Sequence, residues 1–478
     1  MKNIKLAMPS LKDARNRTKL ISQTIRFKIS DEYKDLGKDK TYYIFTYGCQ
    51  GNEADSEIMS GILESIGYKL SSDPMNSDIV ILNTCAIREN ARDKVVGFLG
   101  KCKYLKKNRD NFTIVLAGCM TEQPDFIESV QKNHKYVDLV IGTHNIHELP
   151  KLLLELNQKQ TIEVYSNSDE VIEGMNFKRD SKVTAWVNIM YGCDKFCTYC
   201  IVPYTRGKQR SRKIEEILKE VKELKEQGYQ EITLLGQNVN AYGKDLIEDY
   251  DFATLLAKTA EIGIPRIRFV TSHPWDFTDE MIDIIAKYDN VMPYIHLPLQ
   301  SGSTNILRLM GRRYTKEEYI MLYNKIKERI PNASITTDII VGFPNETEDD
   351  FNETLDVVNI CKFDGAFTFI YSPREGTPAS KIKDSVDIKI KEKRLQILNE
   401  KINEYSLMHN KEYLDKIEKV LITGASEKRI NKMCGYTETM KLVNVDGATN
   451  DVGKIIDVKI TATKSFSLDG KKVIKVNN

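Results

Sequence analysis

The sequence predicts an α/β protein in three parts: a parallel-sheet α/β domain, a (β/α)6 partial TIM barrel and a small antiparallel β-barrel. Three observations carry the prediction. Short, continuous apolar runs alternate with helical stretches from Thr41 to about Ser406, the pattern of strands buried on both faces of a parallel sheet. Beyond about Asn410 the helical signal stops, and short alternating runs separated by turn residues take over, as in an antiparallel barrel. The chain has 478 residues, room for roughly two to four domains. The expected boundaries are 1–40 for an N-terminal extension, 41–160, 178–406 and 410–478.

Composition narrows the function. Hydrophobic residues make up 41% and charged residues 29%, ordinary values for a globular protein. No apolar run approaches the ~20 residues that cross a bilayer, and the N-terminus lacks the apolar core of a signal peptide. The expectation is a cytoplasmic monomer with no membrane association, its nine cysteines present as thiols or metal ligands rather than disulfides. A net charge of +2 is not that of a general nucleic-acid binder, although local basic patches can serve one. Met1–Lys40 carries 11 Lys/Arg against 5 Asp/Glu and reads either as an arm near RNA or as a solvated leader.

In the first domain three apolar runs end alike: TYYIFTYGC at Cys49, DIVILNTC at Cys85 and FTIVLAGC at Cys119. Helical patterns, Asp55 to Ile66 and Asn90 to Lys106, lie between them. In an open parallel sheet the loops after strand C-termini converge at one edge. Three cysteines far apart in sequence should therefore meet in space. The alternative is three unrelated buried thiols, since cysteine is often buried. Cys102 lies within a helical run and reads as a packed thiol. Asn52, Asp55, Ser56, Glu57, Asn83 and Thr84 flank the first two cysteines, as helix caps or as groups beside a bound species.

The central domain shows apolar runs at Thr184–Met190, Glu231–Gly236, Arg266–Val270, Met292–Leu297, Ser334–Val341 and Ala366–Tyr371. Helical patterns such as Ile214–Gln227 and Lys316–Ile330 separate several of them. Six units give an open barrel where a full one needs eight. The first strand leads into Cys193, Cys197 and Cys200, spaced C-x3-C-x2-C. Three thiolates so close suit three corners of a cubane iron–sulfur cluster with one open iron. The alternatives are a zinc knuckle, which usually pairs two C-x2-C units or adds histidines, and a set of buried thiols. Barrel chemistry lies at strand C-termini. Gln237, Asn238, Ser272, His273, His296, Gln300, Ser301 and Asp338 fall there. His273 and His296 read equally as satisfied barrel histidines. Arg206, Arg312 and Arg313 suit a carboxylate or RNA phosphates, or plain surface charge. Cys361 reads as structural, and Asp384–Leu414 as a charged connecting helix.

The last domain holds 13 Lys/Arg and 9 Asp/Glu. Asp446-Gly447 and Asp469-Gly470 read as turns between its strands, and Cys434 as a free thiol. On shape it is an oligonucleotide-binding barrel or a protein-docking one.

TYGCQGNEADSE, GCDKFCTYCIVPYTRGKQRSR, LLGQNVNAYG, HLPLQSGS and RRYT resemble the radical S-adenosylmethionine (SAM) methylthiotransferase family, from about Thr41 to the C-terminus. The resemblance implies two [4Fe-4S] clusters. Cys193, Cys197 and Cys200 would hold the one that binds SAM, with Tyr199 in the aromatic slot of the motif. Cys49, Cys85 and Cys119 would hold an auxiliary one. Gln237, Gln300 and Asp338 are carried over as SAM contacts. The resemblance also implies a terminal RNA-binding TRAM module, whose usual G-R-T-x-x-N core reads Gly435-Tyr436-Thr437-Glu438-Thr439-Met440 here. Tyr436 then offers a base-stacking ring in place of the missing arginine. Gly51 stands where methionine is common.

The implied reaction is methylthiolation at C2 of N6-dimethylallyladenosine at position 37 of tRNA, presented in the anticodon loop. An electron donor of flavodoxin or ferredoxin type and a sulfur source for the auxiliary cluster would be partners. Methylthiolation of N6-threonylcarbamoyladenosine, a radical SAM methylase with a structural first domain, and a non-enzymatic iron–sulfur RNA-binding sensor are the alternatives.

Overall fold

The computed structural model describes residues 12, 15–16, 22–86, 89–109, 111–156, 159–165, 168–427, 429, 431–447 and 449–473. The first domain is a six-stranded sheet in the order Lys69–Leu70, Thr41–Tyr47, Ile79–Thr84, Thr113–Gly118, Leu139–Ile141, Thr161–Glu163. Every neighbouring pair is parallel. Side-chain alternation along each strand feeds two separate cores. Ile79 and Ile81 pack with Ile62 and Leu63 of the helix Gln50–Ser65. Val80 and Leu82 pack with Val95 and Leu99 of the helix Glu89–Asn108. The continuous apolar runs are thus strands covered on both faces.

In the centre, Thr184–Asn188, Glu231–Leu235 and Arg266–Phe269 pair in parallel, as do Tyr294–His296, Ser334–Val341 and Gly365–Ile370. A parallel bridge from Ile267 to Val291 joins the two triplets. The six strands follow chain order and form the open barrel. Ile232, Ile267, Ile335 and Ile339 face outward into a core with the surrounding helices. The other face of each strand, carrying Thr233, Arg268, His296 and Asp338, lines the lumen.

The last domain is a closed five-stranded barrel in the order Ile417–Ala425, Met433–Tyr436, Leu442–Asp446, Ser467–Lys472, Ile455–Lys464. It docks under the central barrel. Arg266, 2% exposed, donates to the carbonyls of Tyr436 and Lys419, each at 2.8 Å. Lys441 and Asp364 form a buried ion pair at 2.8 Å. The helix Ile388–Lys411, predicted from Asp384 to Leu414, connects the two.

Two expectations need correction. Residues from Ser22 onward are not a loose leader: Gln23–Arg26 pairs in parallel with Glu170–Glu173, and Gly37 lies so close to Tyr68 that a Cβ there would stand 2.0 Å from its ring. The earlier part of 1–40 lies largely outside the described residues. Asp469-Gly470 is not a turn but part of the strand Ser467–Lys472. Gly470 is needed there for close packing, since an added Cβ would stand 2.4 Å from Val458. Tyr436 is half-buried at the seam with the central barrel, its carbonyl held by Arg266.

Candidate functional site

Strand order brings the three upstream cysteines together. Cys49 caps the helix Gln50–Ser65, Cys85 follows the strand Ile79–Thr84, and Cys119 follows Thr113–Gly118. A buried amide pair fastens the first two loops: Asn52 donates to Asn83 Oδ1 at 3.0 Å and Asn83 to the Asn52 carbonyl at 2.8 Å. Thr84 donates to the Ala117 carbonyl at 2.9 Å, which ties in the third strand. A hydrogen bond from Cys85, with help from the Arg206 charge, brings the Cys49 thiol down to about 5 against burial. Burial pushes Cys119 up to about 11.

Arg206 belongs to this site. It lies six residues past Cys200 and is 7% exposed. Its Nε donates to Cys119 Sγ at 3.0 Å and an Nη to Asp55 at 2.6 Å. It therefore faces the upstream cysteines, and the reading of Arg206 as a contact for the SAM carboxylate, for phosphate or as surface charge is replaced. Nothing local in PYTRG signals this role, because the partner residues lie 87 and 151 positions away.

The second triad sits on the loop after Thr184–Asn188. Gly192, at φ +71°, opens it, and an added Cβ there would stand 1.9 Å from the Lys208 carbonyl. Cys193 and Cys197 are buried and Cys200 half-buried. Thr198 holds the loop to the barrel, with its N–H on the Met310 carbonyl at 2.9 Å and its hydroxyl on that of Leu309 at 2.7 Å. Phe196, Thr271 and Gln300 are non-glycine residues with positive φ around this end of the barrel, a strain that persists only where packing enforces it. Arg312 donates to Cys197 Sγ at 3.6 Å and to the Pro298 carbonyl at 3.0 Å. Arg313 lies over the Trp275 ring.

The two triads share a wall. The helical turn Val202–Thr205, just after Cys200, packs Ile201 and Tyr204 against Ala86 and Cys119. Thr143 donates to the Thr205 carbonyl at 2.9 Å, fixing the turn to the first domain.

The donor chemistry fits clusters. Each triad offers only sulfur, with an arginine at one of its thiols. Among the described residues no three His, Cys, Asp or Glu side chains converge on a point for a single metal ion. Cys102 and Cys361 are buried in the cores of their domains, and the Cys434 thiol donates to the Ala425 carbonyl at 3.5 Å.

The four residues carried over as SAM contacts meet different surroundings. Tyr199 packs on Met310, Phe343 and Tyr371 beside the cysteine loop. Gln237 and its neighbour Asn238 each have a buried side-chain oxygen with no partner, as a cofactor rich in N–H and O–H donors requires. Asp338 points into the lumen and approaches His296 Nε2 at 3.3 Å. Gln300 is buried at the strand end, its backbone bonded to Asp338 and Ile340. His273 accepts from the Trp275 N–H at 3.2 Å. Burial, then Arg312 and Lys195, hold its pKa down to about 2, which keeps the ring neutral.

Comparison with known proteins follows the same division. Residues 187–358 match the Radical SAM superfamily, 41–142 the Uncharacterized protein family UPF0004 and 411–473 the TRAM domain. The radical SAM methyltransferase TsrM from Kitasatospora setae shares the fold with a TM-score of 0.53 at 13% identity, over 71% of this chain and 74% of that one. The tRNA-2-methylthio-N(6)-dimethylallyladenosine synthases of Staphylococcus epidermidis and Bacillus subtilis are each 52% identical. The matches cover 97% of this chain in both, and 91% and 92% of those proteins. Two sulfur triads, an open barrel and a terminal β-barrel, matched at this identity along almost the whole chain, place it in the family of tRNA-2-methylthio-N6-dimethylallyladenosine synthases, within the radical SAM superfamily.

Proposed function

We propose that this enzyme methylthiolates C2 of N6-dimethylallyladenosine at position 37 of tRNA, using SAM and two [4Fe-4S] clusters. The observation that carries the reading is the shared wall, where Ile201 and Tyr204 of one cysteine loop pack on Ala86 and Cys119 of the other. Cys193, Cys197 and Cys200 would hold a cluster whose chemistry would be reductive cleavage of SAM, and Cys49, Cys85 and Cys119 an auxiliary cluster that would supply the transferred sulfur.

The chain's own residues do the rest. Six cysteines act as ligands. Arg206 and Arg312 bring positive charge to Cys119 and Cys197, which offsets the anionic sulfurs. Tyr199, Gln237, Gln300 and Asp338 form the cofactor end of the lumen, and the two unpartnered oxygens at Gln237 and Asn238 accept donors from the ligand. The C-terminal barrel covers the opposite end of the lumen through Arg266 and Lys441. The substrate base then enters from the cluster side, splayed out of an unstacked anticodon loop. The reading carries with it an electron donor of flavodoxin or ferredoxin type, a sulfur source, and action as a monomer in the cytoplasm.

Reconstituted protein with reductant, SAM and prenylated tRNA should yield 2-methylthio nucleoside by mass spectrometry. Thiolation of threonylcarbamoylated tRNA alone would replace the substrate, and absence of 5′-deoxyadenosine would leave an RNA-binding sensor. Cys49→Ala should abolish thiolation yet keep 5′-deoxyadenosine formation, whereas Cys197→Ala should lose both. Iron should total about eight per chain for two cubanes and about four for one.

A further inference from the structure

The last barrel strand, Gly365–Ile370, carries two large aromatic side chains in an unusual setting. Phe367 is 60% exposed and Phe369 50%, although both point into the lumen. The register fixes this: Asp338 pairs with Phe367 and Ile340 with Phe369. The alternate residues Ile335, Ile339 and Val341 face the outer helices. Thr368, between the two rings, bonds outward to Asn399 of the helix Ile388–Lys411 at 2.5 Å.

The two rings extend an apolar wall. Ile340 packs in the cluster that holds Tyr199 and Met310 beside the cysteine loop. The Phe367 ring meets the His296 ring edge-on at 5.9 Å. Adjacent exposed aromatics inside a barrel are apolar area awaiting a ligand. Charge limits which ligand. On the lumen faces of Tyr294–His296, Ser334–Val341 and Gly365–Ile370, the ionisable groups besides the Tyr294 phenol are His296 and Asp338, and these two already face each other at 3.3 Å.

We propose that Phe367 and Phe369 form the subsite for the apolar dimethylallyl substituent of the substrate adenosine and so set substrate choice. The inference rests on the function proposed above. C2 and C6, the carbon that bears the exocyclic N6, flank N1 on the same edge of the purine, so a base whose C2 faces the cofactor end carries its N6 substituent within reach of this lumen wall. A branched five-carbon alkenyl group covers the two rings and Ile340. A threonylcarbamoyl group would instead bring a carboxylate onto an aromatic wall beside Asp338, while the lumen-facing Arg268 is already paired with Glu231 at 2.8 Å.

The test is binding of reconstituted enzyme with SAM to three labelled anticodon stem-loops, which carry adenosine, dimethylallyladenosine or threonylcarbamoyladenosine at position 37. Anisotropy titration should show the wild-type enzyme preferring the dimethylallyl loop at least about tenfold, the scale on which a pocket reads small apolar groups. Phe367→Ala and Phe369→Ala should each cut that preference about tenfold, while Phe367→Leu keeps most of it. Iron content and circular dichroism establish that the variants fold. An unchanged preference in both alanine variants overturns the subsite, even where the wild type thiolates prenylated tRNA. A wild-type enzyme that shows no preference and no thiolation of that tRNA overturns the functional reading itself.

Discussion

Arg206 Nε lies 3.0 Å from Cys119 Sγ, so the arginine that ends one cysteine loop serves the other. Its remaining partner is Asp55, at 2.6 Å, and both side chains are almost fully buried. Burial pushes the Asp55 carboxyl up, and Arg206 opposes that.

Arg206→Gln leaves the Asp55 carboxylate in place without its cation. Breaking a buried pair from one side costs about 3 kcal/mol. Chemical denaturation should show a loss of that size, and combining Arg206→Gln with Asp55→Asn should recover part of it. Equal stability of the single and double variants would mean that the pair is not coupled.

Gly192→Ala should remove the SAM-site cluster and spare the auxiliary one. The residue has φ +71°, and its Cβ would stand 1.9 Å from the Lys208 carbonyl, so the loop must move. Iron analysis should find about four irons fewer per chain, with 5′-deoxyadenosine formation lost.

His273 makes stability depend on pH. Its folded pKa, about 2, lies below the unfolded value of about 6.5. Between those values the unfolded chain binds more protons, so this group's contribution is complete above about pH 6.5 and falls as pH drops. The slope is about 1.4 kcal/mol per pH unit. His273→Asn keeps an acceptor for the Trp275 N–H and should flatten denaturation free energies between about pH 5 and 6.5 relative to wild type. Parallel profiles would count against a neutral folded histidine.

Arg266→Ala should loosen the C-terminal barrel. The side chain donates to two carbonyls of that domain at 2.8 Å, and a hydrogen bond from a charged donor contributes about 1.5–3 kcal/mol. Limited proteolysis should open the turn Glu412–Lys416, and tRNA affinity should fall while SAM cleavage without tRNA persists. A wild-type digestion pattern would show that the Lys441–Asp364 pair and the bonds of Ser406 and Asn410 to the barrel hold the seam without Arg266.

Much of this was legible in the sequence. The predicted strand Ser334–Val341 matches the one observed, with Ile335, Ile339 and Val341 alternating onto the helix-covered face while Thr336 and Asp338 face the lumen. The convergence of Cys49, Cys85 and Cys119 also followed from strand order. Contacts across domains were not legible. Arg206 gives no local sign of Asp55, which lies 151 residues away. Asp469-Gly470 looked like a turn because glycine is selected both for turns and for close strand packing, and sequence does not separate the two. The run Ala366–Tyr371 signalled a strand, but alternation alone does not tell that Phe367 and Phe369 face an open lumen rather than a filled one.

The turn Val202–Thr205 works as a ruler. It joins Cys200, which is anchored in the barrel, to Arg206, which is anchored in the first domain. One residue added within it would swing Arg206 by about 100° around the helix axis, away from Cys119. Sequence drift in this segment is therefore open to substitution but closed to insertion, and the spacing of six between Cys200 and Arg206 sets how far apart the two cysteine triads can stand.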